Sequence, residues 1–173
     1  ITVITDTAEQ RNQHVLAGLC ELGVRFKCGN LDYGDYTFEL DGVSRIDKIC
    51  IERKAHLEEL SGNFCNKKNV RSRDRFRREF ERATEAGAKM ILLVEDAKAR
   101  EKMILRRWKD ADKTLTLKQR CKGTWDTGFS GASMIASIAS WKDKFGFDVV
   151  FCSKHDTAIE IIKAFYNYER MME

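Results

Sequence analysis

The sequence predicts an α/β domain built on a mixed central β-sheet flanked by helices. Three observations carry that expectation. Apolar residues switch along the chain between the two-residue period of strands and the 3.6-residue period of helices. One run, Met90 to Val94, is apolar throughout, as suits a strand covered on both faces. The length, 173 residues, suits one domain with its own core.

The elements follow in order. Ile1 to Thr5 is short and β-branched and reads as a strand. A helix is expected from Ala8 to Leu22, with Val15, Leu16, Leu19 and Leu22 on one face and Gly23 as its stop. Val24 to Cys28 alternates as a strand. Leu31 to Leu40 and Lys48 to Lys54 are two more strand-like runs, separated by the turn signal Asp41-Gly42. Ser133 to Phe145 sets Met134, Ile138, Trp141 and Phe145 on one helical stripe closed by Gly146, a stripe suited to core or dimer packing. Phe147 to Cys152 reads as a strand. Thr157 to Met171 forms a last helix, opened by the capping-box pattern Thr157-x-x-Glu160.

Composition excludes several classes. Hydrophobic residues make up 43%, too many for a disordered chain, and no apolar stretch reaches the ~18 residues of a membrane span. Proline is absent, which removes proline-rich linkers and collagen-like segments. The start lacks the basic leader of a secretory signal. Six scattered cysteines without a C-x-x-C pair argue against structural zinc. They fit free buried thiols in a reducing compartment, so an intracellular protein (cytoplasm, nucleoid or nucleus) is expected.

The net charge of +4 conceals strong polarisation. Asn66 to Arg82 holds eight basic and three acidic residues, and Ala97 to Lys122 holds ten and three. Together they carry +12 and leave the rest near −8. Such blocks suit a polyanionic partner. On a helix, Arg71, Arg75, Arg78 and Arg82 share one face while Phe76, Phe80 and Ala83 face the core. With Lys67 and Lys68 they form a candidate phosphate-binding surface; the alternative is a solvated helix laced with Arg–Glu pairs. Trp108 and Trp125 offer surfaces for stacking on unpaired bases or anchors for a loop.

The chemistry concentrates between Gly34 and Glu58: Gly34-Asp35-Tyr36, then Ile51-Glu52-Arg53-Lys54, then Glu58. On a strand, Glu52 and Lys54 point to one face and Arg53 to the other. A carboxylate beside a lysine, with a second carboxylate on the preceding strand, suits metal-assisted phosphodiester hydrolysis. Oxygen ligands favour Mg²⁺, which takes one or two carboxylates and keeps several waters.

These motifs resemble the nuclease signature of the XPF and Mus type, a branch of the PD-(D/E)xK nucleases. Asp6-Thr7-Ala8-Glu9 resembles that family's early acidic element, with Ala8 where the family often has Arg, and Leu92-Leu93-Val94-Glu95 its later strand. The resemblance implies a restriction-endonuclease-like fold and a Mg²⁺- or Mn²⁺-dependent endonuclease acting on branched or flap and fork DNA. It implies Asp35 and Glu52 as metal ligands, the Arg53 carbonyl as a third contact and Lys54 at the attacking water. Glu58 would be the final acid, with Asp6 and Glu9 accessory. For Asp6 a second reading stands beside this one, a cap of the first helix with Glu9 as its box partner. A single domain over residues 1–173 with a basic insertion at about 97–130 is expected, in the manner of compact phage or prophage versions, and a homodimer through the C-terminal helices. The alternatives are a non-catalytic DNA-binding or dimerisation module on a nuclease fold, and a four-way-junction resolvase.

The interval between Asp35 and Glu52 sets a geometric condition. A two-residue hairpin at Asp41-Gly42 would pair Leu40 with Val43 and Asp35 with Lys48. Glu52 would then lie about 13 Å further along at ~3.3 Å per residue, too far for one cation. The site therefore requires a longer loop, roughly Asp41 to Ile46, or a bulge that brings Asp35 opposite Glu52.

Overall fold

The structure, a computed structural model, describes residues 1–65, 70–104 and 129–172. Lys67, Lys68, Trp108, Trp125 and most of the expected basic insertion lie outside them. Among the described residues, β1 (Thr2–Asp6) leads to α1 (Gln13–Glu21), β2 (Arg25–Gly29), β3 (Tyr36–Leu40), β4 (Val43–Ser44) and β5 (Ile49–Lys54). Next come α2 (Leu57–Cys65), α3 (Val70–Glu85) and β6 (Lys89–Val94), then α4 (Gly131–Phe145), β7 (Asp148–Phe151) and α5 (Thr157–Met172).

The sheet order is β2-β1-β3-β5-β6-β7, with β4 also on β3. β3 runs antiparallel to β1 and β5, while β5, β6 and β7 are mutually parallel, so the expected mixed sheet is present. Helices cover both faces. On one, α2, α3 and α4 bury Leu60, Phe76, Phe80 and Met134 against Cys50, Leu92 and Val94. On the other, α1 and α5 bury Val15, Leu19, Ile161 and Phe165 against Ile49, Ile51 and Leu93. The predicted stripe on α4 belongs to the first core, where Trp141 stacks on Phe76 with ring centroids 5.3 Å apart.

Several expectations are corrected. The first helix begins at Gln13 rather than Ala8, because residues 7–12 fold into a turn. Glu9 donates its N–H to the Asp6 carbonyl, and its carboxylate accepts from the Arg11 N–H. Asp6 therefore does not cap that helix, and Leu22 at its far end is exposed rather than buried. Leu31 to Asp35 is not strand; Gly34 at φ +71° bends the chain before β3. Thr157 is no cap either. Its hydroxyl donates to Glu95, while Ser153 and Asp156 shape the start of α5. Of the six cysteines, four are described as free thiols; Cys50 and Cys152 are buried, but Cys20 and Cys28 are exposed.

The connection between β3 and β5 takes the second alternative left by the sequence, a bulge-like slip, and not the longer loop. Asp41 (φ +51°) and Gly42 (φ +81°) do form a tight turn, pairing Leu40 with Val43, so the longer loop is not what forms. Yet β4 ends after two residues. The chain then buckles at Arg45 to Lys48, where the Arg45 carbonyl accepts the N–H groups of Lys48 and Ile49. When β5 rejoins β3, Tyr36 pairs with Ile51, four residues out of step with the hairpin.

No helix among the described residues is long and apolar enough to cross a membrane.

Candidate active site

The four-residue slip carries Asp35 into line with Glu52. Asp35 donates its N–H to the Ile51 carbonyl at 2.7 Å, and its Oδ2 accepts the Arg53 N–H at 2.7 Å. Glu52, buried on the α2/α3 side of β5, accepts a hydrogen bond from Lys54 Nζ at 2.7 Å. The Lys54 ammonium also lies 3.7 Å from Glu59 and 4.9 Å from the centre of the Phe76 ring. Burial opposes its charge, but Glu52, Asp35 and Glu59 outweigh that and hold its pKa above the ordinary lysine value. Burial, and then Glu52 beside it, push the Asp35 carboxyl well above the usual carboxylate range.

Arg53 points through the sheet to the α1/α5 side. Its guanidinium donates to Glu95 Oε2 at 2.9 Å, Glu9 Oε1 at 3.0 Å and the Arg11 carbonyl at 3.2 Å. The side chain is thus committed to a buried cage.

Asp6 lines the same pocket as Asp35 and Glu52. Its N–H donates to the Asp35 carbonyl at 2.8 Å, and its Oδ1 accepts the Leu31 N–H at 3.2 Å. Asp6 thereby ties the bend at residues 31–35 to β1. Glu58 is in the first turn of α2 and faces an adjoining groove with Arg11 and His56. The acid that reaches Lys54 is instead Glu59, which also caps α2: its Oε2 accepts the Ala55 N–H, and His56 Nδ1 accepts the Glu59 N–H.

The α3 helix closes the pocket. Arg71, Arg75, Arg78 and Arg82 are all exposed along it, and Arg75 and Arg82 line the pocket itself. Between them is Glu79, whose Oε1 lies 3.6 Å from Arg75 Nε. Burial, and then Glu52 opposite, push its carboxyl up to about 8. Only its i,i+3 and i,i+4 spacing to pocket-facing arginines could have drawn attention to it.

Among the described residues, no group of three or more His, Cys, Asp or Glu side chains gathers in a geometry that could hold a metal. The two-carboxylate set Asp35 and Glu52 nonetheless fits a hard divalent cation that keeps most of its waters. The raised Asp35 and Glu79 carboxyls mark negative charge crowded into one pocket, which a cation would relieve.

No curated protein matches the chain. Among solved structures, XPF from Aeropyrum pernix superposes with a TM-score of 0.62 at 19% identity, covering 98% of this chain and 66% of that one. XPF from the same organism in complex with DNA gives 0.61 at 19% identity, covering 98% and 65%. The present chain thus spans about two thirds of the length of those proteins, and the shared fold is the mixed sheet flanked by helices described above. The ERCC4 domain family model matches residues 5–165, so the chain belongs to the ERCC4 domain family.

Proposed function

We propose that the chain is a Mg²⁺- or Mn²⁺-dependent endodeoxyribonuclease that cuts branched, flap or fork DNA. The observation that carries this reading is the meeting of Asp35, Glu52 and Lys54 in one pocket beneath an arginine-lined helix. Membership of the ERCC4 domain family, and the XPF relative solved with DNA, support DNA as the substrate.

Asp35 and Glu52 would hold the cation, with the Arg53 carbonyl as a further donor. Bound there, it would polarise the scissile phosphate and acidify a water. Lys54, kept charged by three carboxylates, donates a hydrogen bond to the attacking water and to the charge that develops on phosphorus-bound oxygen. It is not itself the base. Arg75 and Arg82 hold the backbone at the pocket mouth, with Arg71 and Arg78 further along α3. The exposed end of α5, with Tyr166, Met171 and Met172, is the surface offered for a homodimer.

A non-catalytic module is disfavoured because the acid and lysine remain paired and aimed into the pocket. A four-way-junction resolvase would share the chemistry and differ in substrate. Labelled flap, fork, four-way and duplex DNA, incubated with Mg²⁺ or with chelator, separate these readings. Metal-dependent incision lost in Lys54→Ala is expected. Binding without incision would favour the module, and symmetric paired incisions the resolvase.

A further inference from the structure

Behind the carboxylate pocket, on the opposite face of β5, lies a closed polar cage that the chemistry above does not use. Its centre is Glu95, one residue past the end of β6 and almost fully buried. Glu95 Oε1 takes hydrogen bonds from the Thr157 hydroxyl at 2.8 Å and from His14 Nε2. With that oxygen occupied, Oε2 is left for Arg53 Nη1 at 2.9 Å. Glu9 holds the other end of the guanidinium, and the Glu95 N–H donates to the Lys54 carbonyl at 2.8 Å. One carboxylate thus ties the starts of α1 and α5 to the end of β5.

Stability alone is a weak reason for such a cage. Burying a guanidinium with two carboxylates carries a desolvation penalty that often cancels the attraction, and apolar side chains could fill the space as well. What apolar side chains could not do is fix Arg53 in one orientation. Arg53 lies between Glu52 and Lys54, and its main-chain N–H is the donor that aims Asp35 Oδ2.

We infer that Glu95 is a positioning residue of the site: through Arg53 it holds the N–H that orients Asp35. The inference rests on the nuclease reading for its catalytic consequence, but not for its structural one. Glu95→Gln keeps the shape but removes the negative charge that holds the Arg53 guanidinium, leaving it a neutral carbonyl oxygen at most. Thr157→Val is the milder variant, removing one donor to Glu95 far from the pocket.

The test follows the Arg53 amide by hydrogen exchange, and cleavage by steady-state kinetics, on the full chain. Glu95→Gln should speed exchange of the Arg53 amide roughly tenfold or more and lower kcat by about 10- to 100-fold, the usual range for such outer contacts. KM for DNA should stay unchanged, because the arginines of α3 are untouched. Thr157→Val should shift both readouts the same way by a smaller factor. An Arg53 amide unchanged in Glu95→Gln overturns the inference, as does unchanged kcat with a perturbed amide. Should Glu95→Gln fail to fold, Thr157→Val decides by the same criteria. The amide measurement needs neither DNA nor metal, so a wild type that does not cleave would overturn the nuclease reading while the exchange result still decides the positioning.

Discussion

Asp35, the residue just before β3, stands beside Glu52 of β5, although the tight Asp41-Gly42 turn between them would by itself set Asp35 against Lys48. The buckle at Arg45 to Lys48 absorbs the four-residue difference, and the Ile46 carbonyl within it is held by the Tyr33 hydroxyl at 3.0 Å. A local turn preference and a long-range pairing are thus both satisfied, with the misfit confined to a short surface segment.

Lys54 and Asp35 should separate stability from activity. Lys54→Ala leaves buried Glu52 without its cation, and breaking such a pair costs about 3–5 kcal/mol. Asp35→Asn removes a carboxyl already strained by burial and by Glu52, so it should be as stable as wild type or more so. Both should cut DNA at least ~10²-fold more slowly. Thermal melts beside cleavage rates check the contrast.

The arginines of α3 should act through phosphate rather than sequence. Arg75→Ala and Arg82→Ala should weaken binding to every DNA tested and each lower the slope of log K against log salt by about one. Anisotropy titrations at several salt concentrations measure this. An unchanged slope would return the helix to an ordinary solvated face.

Gly34 supports the bend that delivers Asp35. At φ +71°, a Cβ there would stand 3.1 Å from both Cys50 Cβ and the Ile51 carbonyl oxygen. Gly34→Ala should cost roughly 1–2 kcal/mol from backbone handedness alone. The greater loss should be in kcat, because the displaced residue is next to Asp35. Equal melts and equal rates for the two proteins would contradict that.

Glu79 predicts the pH dependence of the metal-free protein. Its folded pKa of about 8 lies above the ~4.3 of an unfolded chain, so the folded state binds the extra proton. Its contribution is full below about pH 4 and is lost as pH rises through 8. In chelator, wild type should therefore melt lower at pH 8.5 than at pH 6, and Glu79→Gln should flatten that difference.

Much of this was legible in the sequence, and the remainder was hidden for a physical reason. Met90–Val94, the α4 stripe and the aromatic face of α3 announce themselves because their periods are local. Asp35, Glu52 and Lys54 were readable from type and spacing, and the requirement for a slipped register followed from strand geometry. Glu95 and Glu9 meet Arg53, and His14 and Thr157 meet Glu95, from distant parts of the chain, and no short window holds them together. The same contacts displaced the start of α1 from Ala8 and took the Thr157 hydroxyl away from its cap. Local pattern favoured caps there, and tertiary partners won.

The most direct test of the account is the anomalous scattering of crystals soaked in Mn²⁺. The account predicts a peak between Asp35 and Glu52, within ~2–2.5 Å of an oxygen of each, and its loss in crystals of Asp35→Ala. A peak held by other residues, or none in the pocket at millimolar Mn²⁺, would contradict it.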